Sequence, residues 1–362
     1  VERWARHLRS MSDSRAKCHF ALVGGVYIDE IHEVAAYPSE DSAIRAASVQ
    51  RRRGGNVGNS AAVLSQLDAG SVEWVGVVPA NGGDGAVAFA LDSLHAYNVR
   101  TVRHERVQGE AIGMPTSMIL SSRATGSRTI VSSRRGLREL CAEYFSREVL
   151  PALVREHPVL WLHFEGREPG SVARMVAEAD RARLAAWRLS VEVEKPTFTP
   201  EAVLTLLAGA DVAFVSREWV LRNAAALLGG EAASRQRQTE RLDDCHLAIA
   251  TLRALAGRSL AAAKRGSAGV TWVCAWGALG AFALTGVRDE GGRVVETCAV
   301  LAAASAVERV VDSVGAGDTF NAAVIASLAA GVGAGEALRA GCLVAGRKVA
   351  QAGFDGLTLP PS

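Results

Sequence analysis

The sequence predicts one doubly wound α/β domain, with a mostly parallel sheet and a small β-sheet lid beside it. Three observations carry that expectation. Short β-branched runs alternate with helical patterns along most of the chain, the signature of parallel βαβ units. Two polar, β-prone segments break the alternation, at residues 31–48 and 117–132. Of 362 residues, 49% are apolar and 22% charged, a balance that can bury both faces of a sheet and excludes a disordered chain.

Taken in order, residues 1–17 carry Arg3, Arg6, Arg9 and Arg15 with few acids and read as a disordered arm, or alternatively as a targeting remnant. The domain proper is expected over residues 18–358. Strands are expected at residues 20–26, 72–78, 159–164, 189–193, 212–215 and 271–275. Helices are expected at 59–67, 85–97, 172–187 and 319–329. The polar excursion at 31–48 joins a hairpin that turns at Ala124-Thr125-Gly126-Ser127 to make the lid. Residues 229–264 crowd Arg235, Arg237, Glu240, Arg241, Asp243 and Asp244 together, which predicts a solvated surface insertion. Residues 267–287 contain no charge and are long enough to cross a bilayer, but Gly277 and Gly280 divide them into two short buried strands.

Charge and cysteine usage narrow the function. Forty Lys plus Arg against 38 Asp plus Glu leave a net charge of +2, so no global basic field exists to hold nucleic acid or an anionic membrane. A small-molecule partner is expected instead. The six cysteines are far apart, with no C-x-x-C pair and no His cluster at ligand spacing, which predicts reduced thiols, a cytoplasmic protein and no protein-bound metal site.

The chemistry concentrates in two glycine-rich segments. In Asp312-Ser313-Val314-Gly315-Ala316-Gly317-Asp318-Thr319, a strand is expected to run into a Gly-Ala-Gly turn that opens a helix. Backbone amides and the positive end of the helix dipole then converge on a phosphate-sized anion hole at Gly315, Ala316 and Gly317. Asp318 lies beside that charge, a costly place for a carboxylate unless it accepts the proton of an attacking hydroxyl. The alternative is an Asp that merely caps the helix. In Arg53-Gly54-Gly55-Asn56-Val57-Gly58-Asn59, neutral amides precede an apolar helix, and Asp29 and Asp41 add carboxylates; together these suit a polyol. His163 and Glu165 fall on one face of a strand, opposite Phe164, and read as supporting groups.

These segments resemble the ribokinase-like sugar kinases. The resemblance runs from about residue 23 to 357, apart from the insertion. It rests on Tyr37-Pro38-Ser39-Glu40-Asp41, the 54–59 run, His163-Phe164-Glu165-Gly166-Arg167, Ser190-Val191-Glu192-Val193-Glu194-Lys195-Pro196, Val273-Cys274-Ala275-Trp276, the 311–321 segment and Gly353-Phe354-Asp355-Gly356, in family order. It implies ATP-dependent phosphorylation of a ketohexose, D-fructose, at its C1 hydroxyl, with Asp318 as base. Asp29, Asp41, Gly55, Asn56 and Asn59 would hold the sugar; Arg128 and the turn Gly277, Ala278, Leu279 and Gly280 would hold the nucleotide. Mg²⁺ is implied with ATP, stimulation by K⁺ is expected, and two lids clasp in a homodimer through Ile44, Ile119 and Ile130. Kinases of the same fold for ribose, another ketose or a nucleoside are the nearest alternatives, and a non-catalytic sugar or nucleotide sensor is a further one. Within the ketohexose subgroup the departures are Ser127, where an Asn is usual before the hairpin Arg, and Ala306-Val307-Glu308, where the subgroup is Pro-rich.

Overall fold

The computed structural model describes residues 18–81, 85–109, 111–229, 244–262, 270–288 and 294–360. In chain order the strands are β1 (Cys18–Val23), β2 (Tyr27–Val34), β3 (Ser48–Gly54), β4 (Gly70–Pro79), β5 (Arg100–Val107), β6 (Thr116–Ser122), β7 (Arg128–Ser133), β8 (Val159–Glu165), β9 (Ala186–Val193), β10 (Val212–Val215), β11 (Thr271–Ala275), β12 (Ala281–Arg288) and β13 (Val294–Ala302). Nine form the main sheet in the order β13-β12-β11-β10-β9-β8-β1-β4-β5; the other four form a second sheet, β3-β2-β6-β7. From β11 to β5 every pairing is parallel, while β12 and β13 add antiparallel strands at one edge. This is the expected doubly wound architecture with its lid.

The central strands are apolar on both faces because helices cover both. Along β8, Val159 and Trp161 enter one core while Leu160, Leu162 and Phe164 enter the other. Helices Asn56–Leu64, Ala86–His95, Ala316–Ala329 and Ala334–Val349 pack in the first core, and Pro169–Ala182, Pro200–Leu206, Arg217–Leu228 and Asp244–Ala262 in the second. Chain order reverses at β1: the strands that follow run outward first through β4 and β5, then through β8, β9 and β10 on the other side. That switch point, at the carboxyl ends of β1 and β8, is where open α/β sheets leave a crevice for a ligand.

Several expectations change. The first strand ends at Val23, not residue 26, because Gly24-Gly25 turns the chain out of the main sheet into β2. The lid strands flank the polar excursion: residues 35–47 form an irregular loop between β2 and β3. No strand leads into the Gly-Ala-Gly turn; Val310 and Val311 lie on an exposed, irregular approach. The segment at 229–264 is not simply a solvated insertion. Its helix Asp244–Ala262 buries Ala248, Leu252, Leu255 and Ala256 in the second core, so the period-3.6 apolar stripe outweighs the charge density nearby. The charged run at 235–243, like residues 1–17, lies outside the described residues. The uncharged stretch does divide into β11 and β12, with Trp272 and Trp276 buried, and no described helix is long and apolar enough to cross a membrane.

Candidate active site

A cleft of about 490 Å³ lies between the carboxyl ends of the central strands and the lid. Asp29 enters it from β2, on the lid face that also carries Ser117, Ile119, Arg128, Ile130 and Ser132. Burial lifts the Asp29 carboxyl to about 6, against opposing pulls from Ser117, Arg53 and Arg52. Gly55, Asn56 and Asn59 enter from the start of the Asn56–Leu64 helix. Gly55 has φ 88°, and a Cβ there would lie 2.4 Å from the carbonyl oxygen of Gly25, so only glycine fits this hinge.

The Gly-Ala-Gly turn faces these residues across the cleft. Gly315 (φ 79°) caps the Ala316–Ala329 helix, in whose first turn the Ala316 amide donates to the Ser313 carbonyl at 3.4 Å and no side chain caps the helix. Phe354 closes the turn from behind; a Cβ on Gly315 would meet its ring at 2.4 Å. Asp318 is buried in the first turn, and its Oδ2 accepts the Asn59 side-chain amide at 2.8 Å. Asn59 is held in turn by Arg53, which donates to Asn59 Oδ1 at 2.8 Å from between the rings of Tyr97 and Phe354. Burial, with Glu194 and Glu165 nearby, raises Asp318 to about 7, while Asn59 and Arg53 pull against the rise. A carboxylate so poised can exchange a proton near neutral pH. Gly315, not Asp318, holds the N-cap position, and no side chain caps the helix.

The nucleotide residues divide. Arg128 lines the cleft and donates to Ser313 Oγ at 2.6 Å, which ties the lid to the anion-hole approach. Gly277 lines the cleft, Ala278 and Leu279 are exposed beside it, and Gly280, at φ 106°, is buried where the turn enters β12. Asp41 is not brought to the cleft: it lies exposed in the 35–47 loop at φ 58°. Ser127 is exposed on the hairpin turn, 2.6 Å from the Thr125 hydroxyl.

Some members of the site escaped sequence reasoning. Glu192 at the end of β9 accepts the amides of Asn321 at 3.0 Å and Asn56 at 3.3 Å. Burial and neighbouring carboxylates raise both Glu192 and Glu194. A carboxylate inside an apolar strand run was the available signal. Arg53 had no such signal, since nothing in Arg51-Arg52-Arg53 says which arginine turns inward. His163 and Glu165 take the supporting places expected of them. His163 is buried against Ser190 and Phe214, and desolvation drops it to about 3; Glu165 accepts the Gly25 amide at 2.8 Å and pairs with Arg167 at 2.5 Å.

At the opposite end of β1, His19, Glu73 and His157 bring one ligand atom each within 4.8 Å of one another, a grouping that residue spacing hides. Arg103 already pairs with Glu73, and the two histidine rings stack face to face at 3.6 Å, so their in-plane lone pairs do not converge. The charge in the cluster is balanced by Arg103, which pairs with both Glu73 and Glu156, while burial holds His157 down at about 4.

Residues 20–359 match the pfkB family of carbohydrate kinases. The chain belongs to that family. This kinase is 33% identical to mouse (Mus musculus) ketohexokinase over 341 residues, covering 92% of its own length and 97% of the mouse protein. Its fold is that of ribokinase from Cryptococcus neoformans var. grubii (TM-score 0.67, 18% identity, 95% and 97% of the two chains) and of ribokinase from Giardia lamblia (TM-score 0.67, 17% identity, 95% and 96%). It is a phosphotransferase with an alcohol as acceptor that binds a sugar and ATP.

Proposed function

We propose that this kinase phosphorylates D-fructose at its C1 hydroxyl to give fructose 1-phosphate. The observation that carries this reading is the Asn59–Asp318 contact. It joins the polyol-binding segment to the anion-hole helix, in a chain similar over 92% of its length to a ketohexokinase. Asp29, Gly55, Asn56 and Asn59 bind the ketose from the lid side. Asn59 engages Asp318 Oδ2, which leaves Oδ1 to accept the proton of the attacking hydroxyl. The amides at Gly315, Ala316 and Gly317 and the helix dipole stabilise charge on the transferring phosphoryl group. Arg128 reaches the phosphates from the lid, and the turn Gly277 to Gly280 lies along the nucleotide.

Mg²⁺ would come with ATP and would supply neutralisation of the phosphate charge. Glu192 and Glu194 would suit it, because both line the cleft and both are held neutral by burial and, after that, by neighbouring carboxylates, a penalty that a dication would relieve. Stimulation by K⁺ is part of the same proposal, as the family resemblance implies.

Two lids clasp in a homodimer. Of the three isoleucines expected at the clasp, Ile119 is buried at the cleft, while Ile130, which also lines it, and Ile44 are exposed. The outward face of the lid carries exposed Val49, Met118 and Val131, with Ile44 exposed on the adjoining loop, and a second copy of this chain covers it. Asp41, exposed on that loop, contacts sugar only if the partner's site receives it.

A coupled ADP-release screen over fructose, tagatose, xylulose, ribose and adenosine tests the assignment. Fructose should give the highest kcat/KM. A preference for ribose or adenosine would move the chain to another substrate class of the same fold, and ATP binding without turnover on any acceptor would make it a sensor.

A further inference from the structure

We propose that Arg167 is a positioning residue for the sugar: with Glu165 it braces the junction where the chain leaves the main sheet for the lid, and so fixes where Asp29 and Gly55 meet the ketose. Glu165 ends β8, and Arg167 follows two residues later, half-buried on the wall of the cleft. The two oxygens of the buried Glu165 serve different partners. Oε2 accepts the Gly25 amide at 2.8 Å, and Oε1 accepts Arg167 Nε at 2.5 Å. Arg167 in turn donates from Nη1 to the Tyr27 hydroxyl at 3.1 Å, with its guanidinium carbon 4.9 Å from the centre of the Tyr27 ring. A ring of contacts thus closes on residues 25–27.

The sugar side of the cleft hangs on those residues. Tyr27 and Asp29 lie two apart on β2, so they share a face, and both line the cleft. The carbonyl of Gly25 is the oxygen against which Gly55 packs. Placing residues 25–27 therefore places a ligand from the lid and the start of the Asn56–Leu64 helix together. The brace is itself seated on the end of β9: the Gly166 amide donates to the Glu192 carbonyl at 2.9 Å, and Lys195 Nζ donates to the Arg167 carbonyl at 3.2 Å.

The side chain of Arg167 hydrogen-bonds to Glu165 and Tyr27, and not to Asn59, Asp318 or the Gly-Ala-Gly turn. Its planar fork and charge-assisted bonds hold the junction in the sugar-binding arrangement before the sugar arrives. Without it, part of the sugar's binding energy would go into ordering the lid's first strand, and affinity would fall. The transfer step draws on the other wall of the cleft and would be left nearly as fast. Arg167 acts through Tyr27 and Gly25.

This inference rests on the kinase reading of the cleft, and its test separates the two. Glu165 also raises Asp318 through space, so kinetics and calorimetry with fructose and ADP are run at about pH 8.5, where the base is ionised. Arg167→Met should raise the fructose KM and Kd at least about tenfold, with kcat and ADP affinity within about threefold of wild type. Tyr27→Phe should raise them less, and should add nothing in the Arg167→Met background, because the hydroxyl acts only through Arg167. An equal cost in both backgrounds would mean that the hydroxyl touches the sugar itself and would contradict the brace. So would unchanged fructose affinity in folded Arg167→Met, or a fall in kcat with KM unchanged. Amide hydrogen exchange at residues 25–29 should quicken in Arg167→Met. If the wild type neither binds nor phosphorylates any ketose, the kinase reading fails, and exchange still judges the brace: equal rates in variant and wild type would overturn it. Should Arg167→Met fail to fold because Glu165 is left with an unmatched charge, the double variant Glu165→Gln with Arg167→Met removes that charge and is measured instead.

Discussion

Asn59 donates its side-chain amide to Asp318 Oδ2 at 2.8 Å, so the residue read as a sugar ligand and the residue read as the base form one hydrogen-bonded pair. The sugar segment and the phosphate segment, some 260 residues apart in sequence, are thereby locked together. On the proposed mechanism, Oδ1 of Asp318 is the oxygen left for the substrate hydroxyl.

That lock has a pH signature. Burial raises Asp318 from 3.8 to about 7, and the base must be ionised to accept a proton. In rate measurements across pH, fructose kcat/KM should rise through about 7 and then level off; a flat profile down to about pH 5 would separate Asp318 from the proton transfer.

The same shift bears on stability. Between 3.8 and about 7 the native protein holds a proton on Asp318 that the unfolded chain has lost, so this stabilisation is complete in acid and is lost as pH rises through about 7. Asp318→Asn should melt higher than wild type near pH 8 and match it near pH 4. Its turnover should fall about 10²- to 10⁴-fold while ATP affinity holds or improves, as measured by calorimetry.

Arg53 reaches the base only through Asn59 and through space. Since its charge helps to hold Asp318 down, Arg53→Met should move the acid limb of kcat/KM to higher pH as well as lower kcat. An unmoved limb with a lowered melting temperature would reduce Arg53 to a structural role.

The Asp244–Ala262 helix gives a contrasting expectation. Leu252 is fully buried in the second core, so Leu252→Ala should cost about 2–5 kcal/mol of stability in denaturant unfolding and leave kcat of the folded enzyme near wild type. A neutral effect would return this segment to the surface insertion that its charge suggests.

For the lid, Met118 and Val131 pair directly across β6 and β7 and both are exposed. Light scattering should report a dimer for wild type, and Met118→Glu with Val131→Glu should give a folded monomer. A wild-type monomer with full activity would contradict the clasp.

Much of this was legible in the sequence for a physical reason. Strands β10 and β11 were placed to the residue because apolar runs buried on both faces end sharply at turn residues. The Gly55 and Gly315 hinges were visible because only glycine meets their backbone demands. What stayed hidden was long-range. Lys348 and Asp312 lie 36 residues apart, and neither periodicity nor a local motif announces their contact. Ile44 and Ile130 are exposed as expected but Ile119 is buried, because alternation says which residues share a face, but not which face meets the cleft. The charged run before the Asp244–Ala262 helix drew attention from the four apolar residues that anchor it.

The central claim, phosphoryl transfer to the ketose C1 hydroxyl by Asp318, is tested most directly by product analysis. Wild type and Asp318→Asn are incubated with D-fructose, ATP and Mg²⁺ and followed by ³¹P NMR. Wild type should yield fructose 1-phosphate with stoichiometric ADP, and Asp318→Asn should yield almost none over the same interval. Fructose 6-phosphate, no ester from any ketose, or equal product from the folded variant would contradict the account.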